Sequence, residues 1–527
     1  MMKSHGRIQT LGLVMFCLAL CGSVARAQDD YEAWKKKEQE RIRKGLEEQD
    51  RAFSDFLKKD WQEFSVFQGE VPDKTPKPEV APKVEPKRDG DKPFEEEPAP
   101  EKRIEPLPEP APEPAPPPKP TPEPMPEPVK PGPPPTPDEN PAPDPGPPPV
   151  KDTENPSPPR FSVMTVSYLG VNVPFSYDPN DRVSLNEPLN NNSIATFWES
   201  LAQSRFDRVV AEAQKTRADR DLSDWGYLEL VKDAADKLFS SDKNMRNLFV
   251  WYVLVKSGYD ARVGYSDNHV YLLIPSTREI YFVSYLKLKD QNRRYYIYTL
   301  EGLPAPVRGS ISTYDGHVSG ADRELEFEVH SIPKLQNQTG TRMLTFDYAR
   351  KTYTIRAQYS KDAAEYFADY PWVDMPVYFL SAVSTQARTS LLTALRPIIK
   401  GKSEAEAVNM ILRFVQTAFD YKTDPDQFGR EKPLFPDETL YYPFSDCEDR
   451  CIMFSFLVRN LTGLETVALR YPGHLSLAVK FSKPQSGDTL IINGAKFLIC
   501  DPTYINADIG MCMPQFKTVK PEVINID

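Results

Sequence analysis

Residues 71–159 are too rich in proline to form a hydrophobic core. About 35 of the chain's 54 prolines lie in this stretch, and each of them lacks a backbone donor. Large apolar residues are almost absent from it, so too little apolar surface can be buried to offset the entropy of ordering the chain. We therefore predict a semi-rigid linker over residues 70–159, with an upper reach of ~3 Å per residue. The linker separates a short N-terminal part from a folded part that begins near Phe161.

The first 27 residues have the pattern of a secretory signal. A basic start precedes an apolar run that ends at Cys21, and Ala25-Arg26-Ala27 is a small-x-small cleavage site. The apolar run is too short to span a bilayer. A lipoprotein signal that ends at Cys21 is the alternative, although the bulky Leu20 stands where a small residue is expected. We predict a chain that is secreted across the inner membrane and is periplasmic or associated with the cell envelope.

Residues 28–69 predict an amphipathic helix. Apolar side chains recur there at near-helical spacing among many Lys and Glu, and they are Tyr31, Trp34, Ile42, Leu46, Phe53, Phe56, Leu57, Trp61 and Phe64. A single helix cannot bury such a stripe. We therefore expect it to dock on the folded part or to self-associate, and contact with another surface is the alternative.

Composition argues against several classes of function. The net charge of −11 is spread along the chain with mixed signs and no basic stripe, which argues against nucleic acid as a partner. Four cysteines remain after the predicted cleavage, too few for a disulfide framework in a chain of this length. The remaining histidines show no metal-ligand spacing among themselves or with the cysteines. We therefore expect no metal and no cofactor.

The folded part contains an internal repeat with few identities. Residues 241–246 (Ser-Asp-Lys-Asn-Met-Arg) align with residues 445–450 (Ser-Asp-Cys-Glu-Asp-Arg) at an offset of 204. With one residue inserted, the alignment also pairs Gly258 with Gly463 and His269 with His474. Chance similarity is the alternative explanation.

If the repeat is real, residues 160–300 are a copy without the chemistry of the second one. Lys243 then stands where the second copy has Cys447, and Ser284 is the nearest equivalent of Asp501. The second copy would occupy residues 386–527.

Residues 301–385 predict a β-rich domain between the two copies. Apolar residues alternate with polar ones over 325–329 and again over 353–359, as in half-buried strands of an antiparallel sheet. His330 falls on the polar face and His317 lies in a Gly-containing turn, so we expect both to be solvated.

Three short segments near the C-terminus carry residues that suit one chemistry. They contain Cys447, His474 and Asp501, which follow one another at intervals of 27 residues. A thiol nucleophile, its base and the carboxylate that orients the base require these residue types. Taken singly, each residue has a common structural role, and it is their coincidence at the ends of predicted elements that indicates a site. The long acidic connection 420–442 precedes them, and long loops often border functional sites.

The local pattern places each of the three at an element end. Ser445-x-x-Glu448 is a capping box that opens a buried helix, which makes Ser445 the expected N-cap and Cys447 the second helical residue. The first-turn amides and the helix dipole favour a thiolate there, whereas the neighbouring carboxylates oppose it. We expect His474 at the start of a strand, within reach of a helix N-terminus, and Asp501 at the end of another.

These segments resemble the transglutaminase-like superfamily. The most specific parts are Asp-Cys-Glu-Asp-Arg at residues 446–450 and Asp-Pro-Thr-Tyr-Ile at residues 501–505, and the resemblance covers about residues 403–514. It implies an α+β fold with a papain-like transglutaminase core at the C-terminus. In such a core Cys447 would be the nucleophile, His474 the base and acid, and Asp501 the residue that orients the imidazole.

The chain departs from the family pattern at two places. Family members often have a tryptophan two residues after the histidine, where this chain has Ser476. The side chain that often completes the oxyanion hole is also not evident, and Tyr441 is the only candidate that the local sequence offers.

The function expected on these grounds is extracytoplasmic thiol acyl transfer. The enzyme would be a peptidase, amidase or transglutaminase that acts on peptide or side-chain amides through a thioester on Cys447. Its partners would be peptide or protein substrates, including components of the cell envelope. The alternatives are a non-catalytic peptide- or protein-binding module on the same fold, and an envelope scaffold whose main devices are the N-terminal helix and the linker.

Overall fold

The computed structural model describes residues 6–59, 61–72, 75–84, 102–103, 161–289, 293–298, 307–316 and 318–526. Over these ranges the chain is a mixed α/β structure with several sheets. None of the helices in the described ranges is both long and apolar enough to cross a membrane. The side chains of the predicted signal, His317 and most of the predicted linker lie outside the described residues.

The N-terminal helix docks on the folded part through its last turns. Helix α1 (Gly6–Leu57) is followed by strand β1 (Gln62–Ser65), so the prediction that the helix continues to residue 69 is wrong. Phe53 packs edge-on against Trp198 at 4.8 Å between ring centroids, because the helix lays its apolar face on the core there. Farther from this contact, four members of the predicted stripe are exposed, namely Tyr31, Trp34, Ile42 and Leu46.

The first folded unit packs helices against an antiparallel sheet. After β2 (Lys102–Arg103), its elements are β3 (Ser162–Tyr168), β4 (Val171–Tyr177), α2 (Asn191–Gln203), α3 (Asp207–Arg220), α4 (Asp224–Leu238), α5 (Lys243–Lys256), β5 (Arg262–Ser266), β6 (His269–Pro275), β7 (Tyr285–Lys287), β8 (Arg294–Tyr298) and β9 (Ser310–Thr313). The sheet order is β1-β9-β5-β6-β8-β7. Helix α5 is buried on all sides over residues 248–255, which explains why its sequence is apolar without a polar stripe.

The connecting region contains fewer strands than its alternation predicts. Its described elements after β9 are the hairpin β10 (Thr339–Tyr348) and β11 (Lys351–Ser360), then helices α6 (Lys361–Phe367) and α7 (Met375–Phe379). Leu325, Phe327 and Val329 are buried alternately as predicted, yet they form no strand, and of the three only Leu325 makes an isolated bridge, to Ser276 of the first unit. His330 is exposed as predicted. The long hairpin packs on the helices of the C-terminal unit, so residues 301–385 link the two units.

The C-terminal unit has a buried helix packed on a second sheet. Its elements are α8 (Thr385–Ile399), α9 (Glu404–Ala418), β12 (Asp420–Tyr421), α10 (Asp424–Phe428), α11 (Pro436–Tyr441), β13 (Phe444–Ser445), α12 (Cys447–Thr462), β14 (Glu465–Tyr471), β15 (His474–Lys480), β16 (Thr489–Ile492), β17 (Ala495–Cys500) and β18 (Glu522–Ile524). The sheet order is β18-β14-β15-β17-β16-β2. Helix α12 is buried along its first three turns and packs on β15.

The two sheets share their strand order. The run β9-β5-β6-β8-β7 matches β18-β14-β15-β17-β16, and every neighbouring pair in both runs is antiparallel. Each run follows a buried helix, which begins at Lys243 in one unit and at Cys447 in the other. The position of Asp501, directly after β17, corresponds to the position after Tyr298, which lies outside the described residues. Ser284 precedes β7 and is therefore not the equivalent that the sequence alignment predicts.

Candidate functional site

Cys447 is the first residue of helix α12. Asp446 is the N-cap, because its carbonyl accepts the amide of Arg450 at 3.3 Å and its own amide donates to Asp449 Oδ2 at 3.1 Å. The prediction of Ser445 as the N-cap is therefore wrong by one residue. The reason is that the side chain of Asp449, three residues after Asp446, accepts the Asp446 amide, which is one half of a capping box.

The thiol of Cys447 is buried against carboxylates. Its side chain is 1% exposed, and Sγ donates to Glu448 Oε2 at 2.9 Å. Burial, followed by the charges of Glu448 and Asp446, raises the pKa of the Cys447 thiol well above its ordinary value. The stabilisation of a thiolate that the helix dipole offers is therefore outweighed, and the structure holds Cys447 as a neutral thiol.

His474 opens strand β15, as its sequence pattern predicts. It pairs with Tyr471 across a two-residue turn of Pro472 and Gly473, and Gly473 adopts the φ of +65° that such a turn needs and that glycine tolerates. One residue farther along, the Leu475 carbonyl accepts from Cys451 Sγ at 3.3 Å. Since Cys451 lies one turn after Cys447 on α12, this contact ties the start of the helix to the start of the strand.

The imidazole of His474 is fixed on two sides. His474 Nε2 lies 2.8 Å from Asp501 Oδ2, and the ring of Phe516 stacks on the imidazole at 5.3 Å between centroids. Asp501 follows β17 and is itself held, because Oδ1 accepts the amides of Thr503 and Tyr504 at 2.9 and 3.2 Å. Within the described part of the chain, His474 Nδ1 is buried and has no hydrogen-bond partner. The ring is therefore positioned to exchange a proton through Nδ1.

Cys447 and His474 line the same cavity. Its volume is about 70 Å³, enough for about two water molecules. Asp501 lies behind the imidazole, so the structure brings together the three residues that the sequence singles out. Pro72, Thr75 and Lys77 also line the cavity, although they belong to the segment that the sequence assigns to a linker.

Tyr441 lies away from this cavity. It ends α11, is 40% exposed, and packs against Tyr359 and Tyr442 at 5.9 and 5.0 Å between centroids. Trp372, in contrast, lines the cavity, and its Nε1 is buried without a hydrogen-bond partner among the described residues. Trp372 is therefore the side-chain candidate for an oxyanion donor that the lining of this cavity offers in place of Tyr441. The sequence offers no signal for Trp372, because it lies in an irregular segment far upstream of Cys447.

Four carboxylates converge beside Cys447. Ligand oxygens of Asp424, Glu431, Asp446 and Glu448 all lie within 4.8 Å of one another, a grouping that could hold a cation. The cation that the structure places there is the ammonium of Lys77. Its Nζ lies 2.6 Å from Glu431 Oε2, 2.8 Å from Asp446 Oδ2 and 3.8 Å from Asp424 Oδ2, and it also contacts Glu448 Oε1.

The pKa values of this cluster follow from burial and from the ammonium. Burial lowers the pKa of Lys77, but the charges of Asp446, Glu448 and Asp424 outweigh it and raise that pKa well above its ordinary value. Burial raises the pKa of Asp424 and of Asp446 well above the ordinary range. For Glu448 the charge of Lys77 outweighs burial and lowers the pKa. Glu448 is therefore the ionised partner of the ammonium.

Cys447, Cys451 and Cys500 are buried free thiols, so among the described residues none of these three is held in a disulfide. A scan against protein-family models, a search of curated proteins and a search of solved structures each found no match to this chain.

Proposed function

We propose that the C-terminal unit is a thiol acyl-transfer enzyme that acts on peptide or side-chain amides. Cys447 is the nucleophile, His474 the base and then the acid, and Asp501 the carboxylate that orients the imidazole. The observation that carries the proposal is the 2.8 Å contact between His474 Nε2 and Asp501 Oδ2 at the wall of a cavity that Cys447 also lines. An imidazole held through one nitrogen presents the other to a nucleophile.

The reaction begins with proton transfer from Cys447 Sγ to His474 Nδ1, which requires Sγ to leave its hydrogen bond with Glu448. The thiolate then attacks the amide carbon, and the carbonyl oxygen becomes an oxyanion. The backbone amide of Cys447, in the first turn of its helix, and Trp372 Nε1 are suitable donors to that oxyanion. When the C–N bond breaks, the leaving amine takes the proton from His474 and a thioester remains on Cys447.

The thioester is resolved by water or by a second amine. His474 takes a proton from the attacking group and returns it to the sulfur, which regenerates the thiol and releases an acid or a new amide. In a dilute extracytoplasmic setting hydrolysis is favoured. The setting itself is part of the proposal, since it rests on the signal pattern of residues 1–27, and it makes envelope peptides, including cell-wall stem peptides, the substrates to test first.

We also propose that the unit has a transglutaminase-like fold and that residues 160–300 are a degenerate copy of it. The shared strand order supports the duplication. In the first copy the helix starts with Lys243 rather than a cysteine, and His269 at the start of β6 is exposed. At these two described positions that copy has neither a nucleophile nor a buried base, and we propose a structural or binding role for it.

The decisive experiment is turnover of a panel of amide-containing peptides by the purified full chain. Wild type and Cys447→Ala are compared, with Cys451→Ala as the matched control because Cys451 is equally buried one turn farther along the same helix. We expect turnover by wild type and the control, and none by Cys447→Ala. Equal rates for wild type and Cys447→Ala would contradict the proposal.

A peptide- or protein-binding module is the second candidate, favoured by one observation. The thiol is buried, and its pKa is raised rather than lowered. The two functions are separated by iodoacetamide labelling of the full chain near neutral pH, with Lys77 retained because its charge lowers the pKa of the Cys447 thiol. An enzyme reacts faster than a free thiol and loses that advantage with His474→Ala, whereas a rate no greater than that of a free thiol favours binding.

A further inference from the structure

Residues 75–84, here called the strap, lie along the C-terminal unit beside Cys447. The strap forms hydrogen bonds with both backbone groups of Ile505. Val84 N donates to the Ile505 carbonyl at 2.9 Å, and Ile505 N donates to the Pro82 carbonyl at 2.8 Å. Nearer the cavity, Tyr421 Oη donates to the Pro78 carbonyl at 2.7 Å. Main-chain contacts of this kind are how extended peptides are bound at the edge of a fold.

The side chain of Lys77 enters the four-carboxylate pocket from the strap. It is 12% exposed, and the residues that hold its ammonium lie more than 300 positions away in the sequence. Asp446 is fully buried, and its Oδ1 has no hydrogen-bond partner among the described residues, so the pocket has acceptor capacity beyond what Lys77 uses. A buried group of carboxylates is stable only with a cation or with protons. In the structure the ammonium of Lys77 is the cation that the pocket holds.

The shape of the cavity rim also fits an extended chain. A Cβ atom on Gly473 would lie 2.8 Å from the Pro76 carbonyl oxygen, so the turn before His474 approaches the strap as closely as only glycine permits. Pro76 and Pro78 flank Lys77 and favour an extended backbone, which lowers the entropy that binding must overcome. The remaining cavity of about 70 Å³ is far smaller than a peptide needs.

The surface of the C-terminal unit on which the strap lies is here called the groove. We propose that the groove is a binding site for an extended peptide whose lysine ammonium enters the pocket of Asp424, Glu431, Asp446 and Glu448, and that the strap occupies the groove in cis. The inference rests on the proposed function in that the groove leads to Cys447. The ligand is a lysine-bearing peptide with an extended, proline-containing backbone. While the strap is bound, it covers the thiol, so the chain carries its own competitor for substrate.

The ammonium in this pocket is a recognition contact and not an acyl acceptor. An amine attacks a thioester only when it has lost its proton. The carboxylates around Lys77 raise its pKa and keep it charged. A lysine side chain bound in the same way would be held as a cation while another part of the peptide reacts with Cys447.

The test measures binding of a fluorescein-labelled peptide of residues 70–84 by fluorescence anisotropy. The proteins are the full chain with Lys77→Ala and, as the matched control, the full chain with Lys83→Ala, since Lys83 belongs to the same strap but is exposed. The second peptide has norleucine in place of Lys77, which keeps the aliphatic stem and removes the charge. Lys77→Met is a second variant that preserves the packing of the stem if Lys77→Ala proves unstable.

We expect the Lys77→Ala chain to bind the lysine peptide about 10-fold more tightly than the norleucine peptide, the scale of a charge-assisted contact. The Lys83→Ala chain, whose own strap is intact, should bind the lysine peptide more weakly than the Lys77→Ala chain does. Equal affinities of the two peptides would overturn the proposal. It would also be overturned if neither peptide bound to Lys77→Ala or to Lys77→Met. Because binding is measured, the result holds even if Cys447 catalyses nothing, whereas loss of turnover alone would refute only the proposed function.

Discussion

The carboxylate of Asp501 contacts the imidazole of His474 and also accepts hydrogen bonds from the turn after β17. Asp501 Oδ2 lies 2.8 Å from His474 Nε2, while Oδ1 accepts two backbone amides of the turn that follows β17. The turn fixes the carboxylate, and the carboxylate fixes the imidazole. The tautomer with the proton on Nε2, which leaves Nδ1 as the base, follows from this arrangement.

We predict that Asp501→Asn removes activity without unfolding the protein. Asn keeps the Oδ1 acceptor for the turn but presents an N–H donor to His474 Nε2, so the proton moves to Nδ1 and the base is lost. The expected fall in kcat is on the order of 10²–10⁴-fold, as for other triads whose tautomer is inverted. The measurements are kcat on an amide substrate that wild type turns over and the thermal unfolding midpoint.

The matched control for this prediction is Asp488→Asn. Asp488 is also buried and accepts a backbone amide, that of Cys512 at 2.9 Å, but it has no contact with His474 among those the structure records. Asp488→Asn should retain kcat within about threefold, since surface and remote polar changes act mainly on stability. Comparable losses in the two variants would show that Asp501 acts through the fold and not through the imidazole.

The local parts of this site could be predicted from the sequence because they depend on short-range chemistry. A capping signal before an apolar run locates the helix start to within one residue of Cys447, and alternation after a Pro-Gly turn locates the strand start at His474. The sequence places the N-cap one residue too early because Ser445 and Asp446 both begin a capping pattern, and only backbone geometry selects between them. It also gives no signal for the helix end at Leu57, since the aromatic residues continue at helical spacing into β1.

The nonlocal parts could not be predicted in the same way. Composition indicates that residues 71–159 cannot build a core, yet the strap needs no core of its own. Its carbonyls still accept hydrogen bonds, and its prolines keep it extended against a surface that other residues provide. Trp372 and Lys77 reach the cavity only through tertiary packing, which has no periodic signature. The length of the connection 420–442 predicts that it borders a site, and it supplies Asp424 and Glu431 to the carboxylate cluster.

The second prediction concerns the thiol itself. Glu448 accepts from Cys447 Sγ, and its charge helps to raise the pKa of that thiol. Glu448→Gln removes the charge, so the pKa of Cys447 falls and alkylation becomes faster. At pH 8 we expect the rate with iodoacetamide to rise severalfold, because a larger fraction of the thiol is ionised.

Glu431→Gln is the control for this measurement. Glu431 also holds Lys77, at 2.6 Å, but no contact with the thiol is recorded for it. Both variants therefore weaken the hold on the strap, and only Glu448→Gln changes the immediate partner of Sγ. Equal acceleration in the two variants would mean that access to the cavity, and not the charge of Glu448, limits the reaction.

The third prediction uses two glycines in similar turns. Gly473 and Gly494 both occupy two-residue hairpin turns with positive φ, so substitution by alanine should cost each about 1–2 kcal/mol of folding stability. A Cβ on Gly473 would collide with the strap at Thr75 and Pro76, whereas a Cβ on Gly494 meets nothing within 4 Å. Of the two substitutions, only Gly473→Ala should therefore displace the strap.

Hydrogen exchange followed by mass spectrometry checks this difference directly. In Gly473→Ala, peptides that cover the strap and Ile505 should exchange faster than in wild type, because the Val84 and Ile505 amides lose their partners. In Gly494→Ala the same peptides should exchange as in wild type. Unchanged protection of the strap in both variants would show that the strap accommodates the added methyl group and is not held through this contact.

The last prediction is a pH window for binding of the lysine peptide. The titratable and charged groups that face the ammonium are Asp424, Glu431, Asp446, Glu448, Cys447, Asp449 and Tyr421. The ammonium lowers the pKa of Glu448 below its ordinary value of 4.5, so the contribution of this pair is present above that value and is lost as the pH falls through the lowered one. The raised pKa values of Asp424 and Asp446 mean that these groups take up protons at a higher pH and weaken binding in the same direction. On the basic side, the carboxylates raise the pKa of Lys77 above 10.5, so its contribution is present below that value and is lost as the pH rises through the raised one.

Anisotropy titrations of the Lys77→Ala chain from neutral pH down to pH 4 should therefore show affinity for the lysine peptide falling with acid. The norleucine peptide, which has no charge to pair with Glu448, should show no such fall, and parallel pH profiles for the two peptides would show that the carboxylate pocket does not recognise the ammonium.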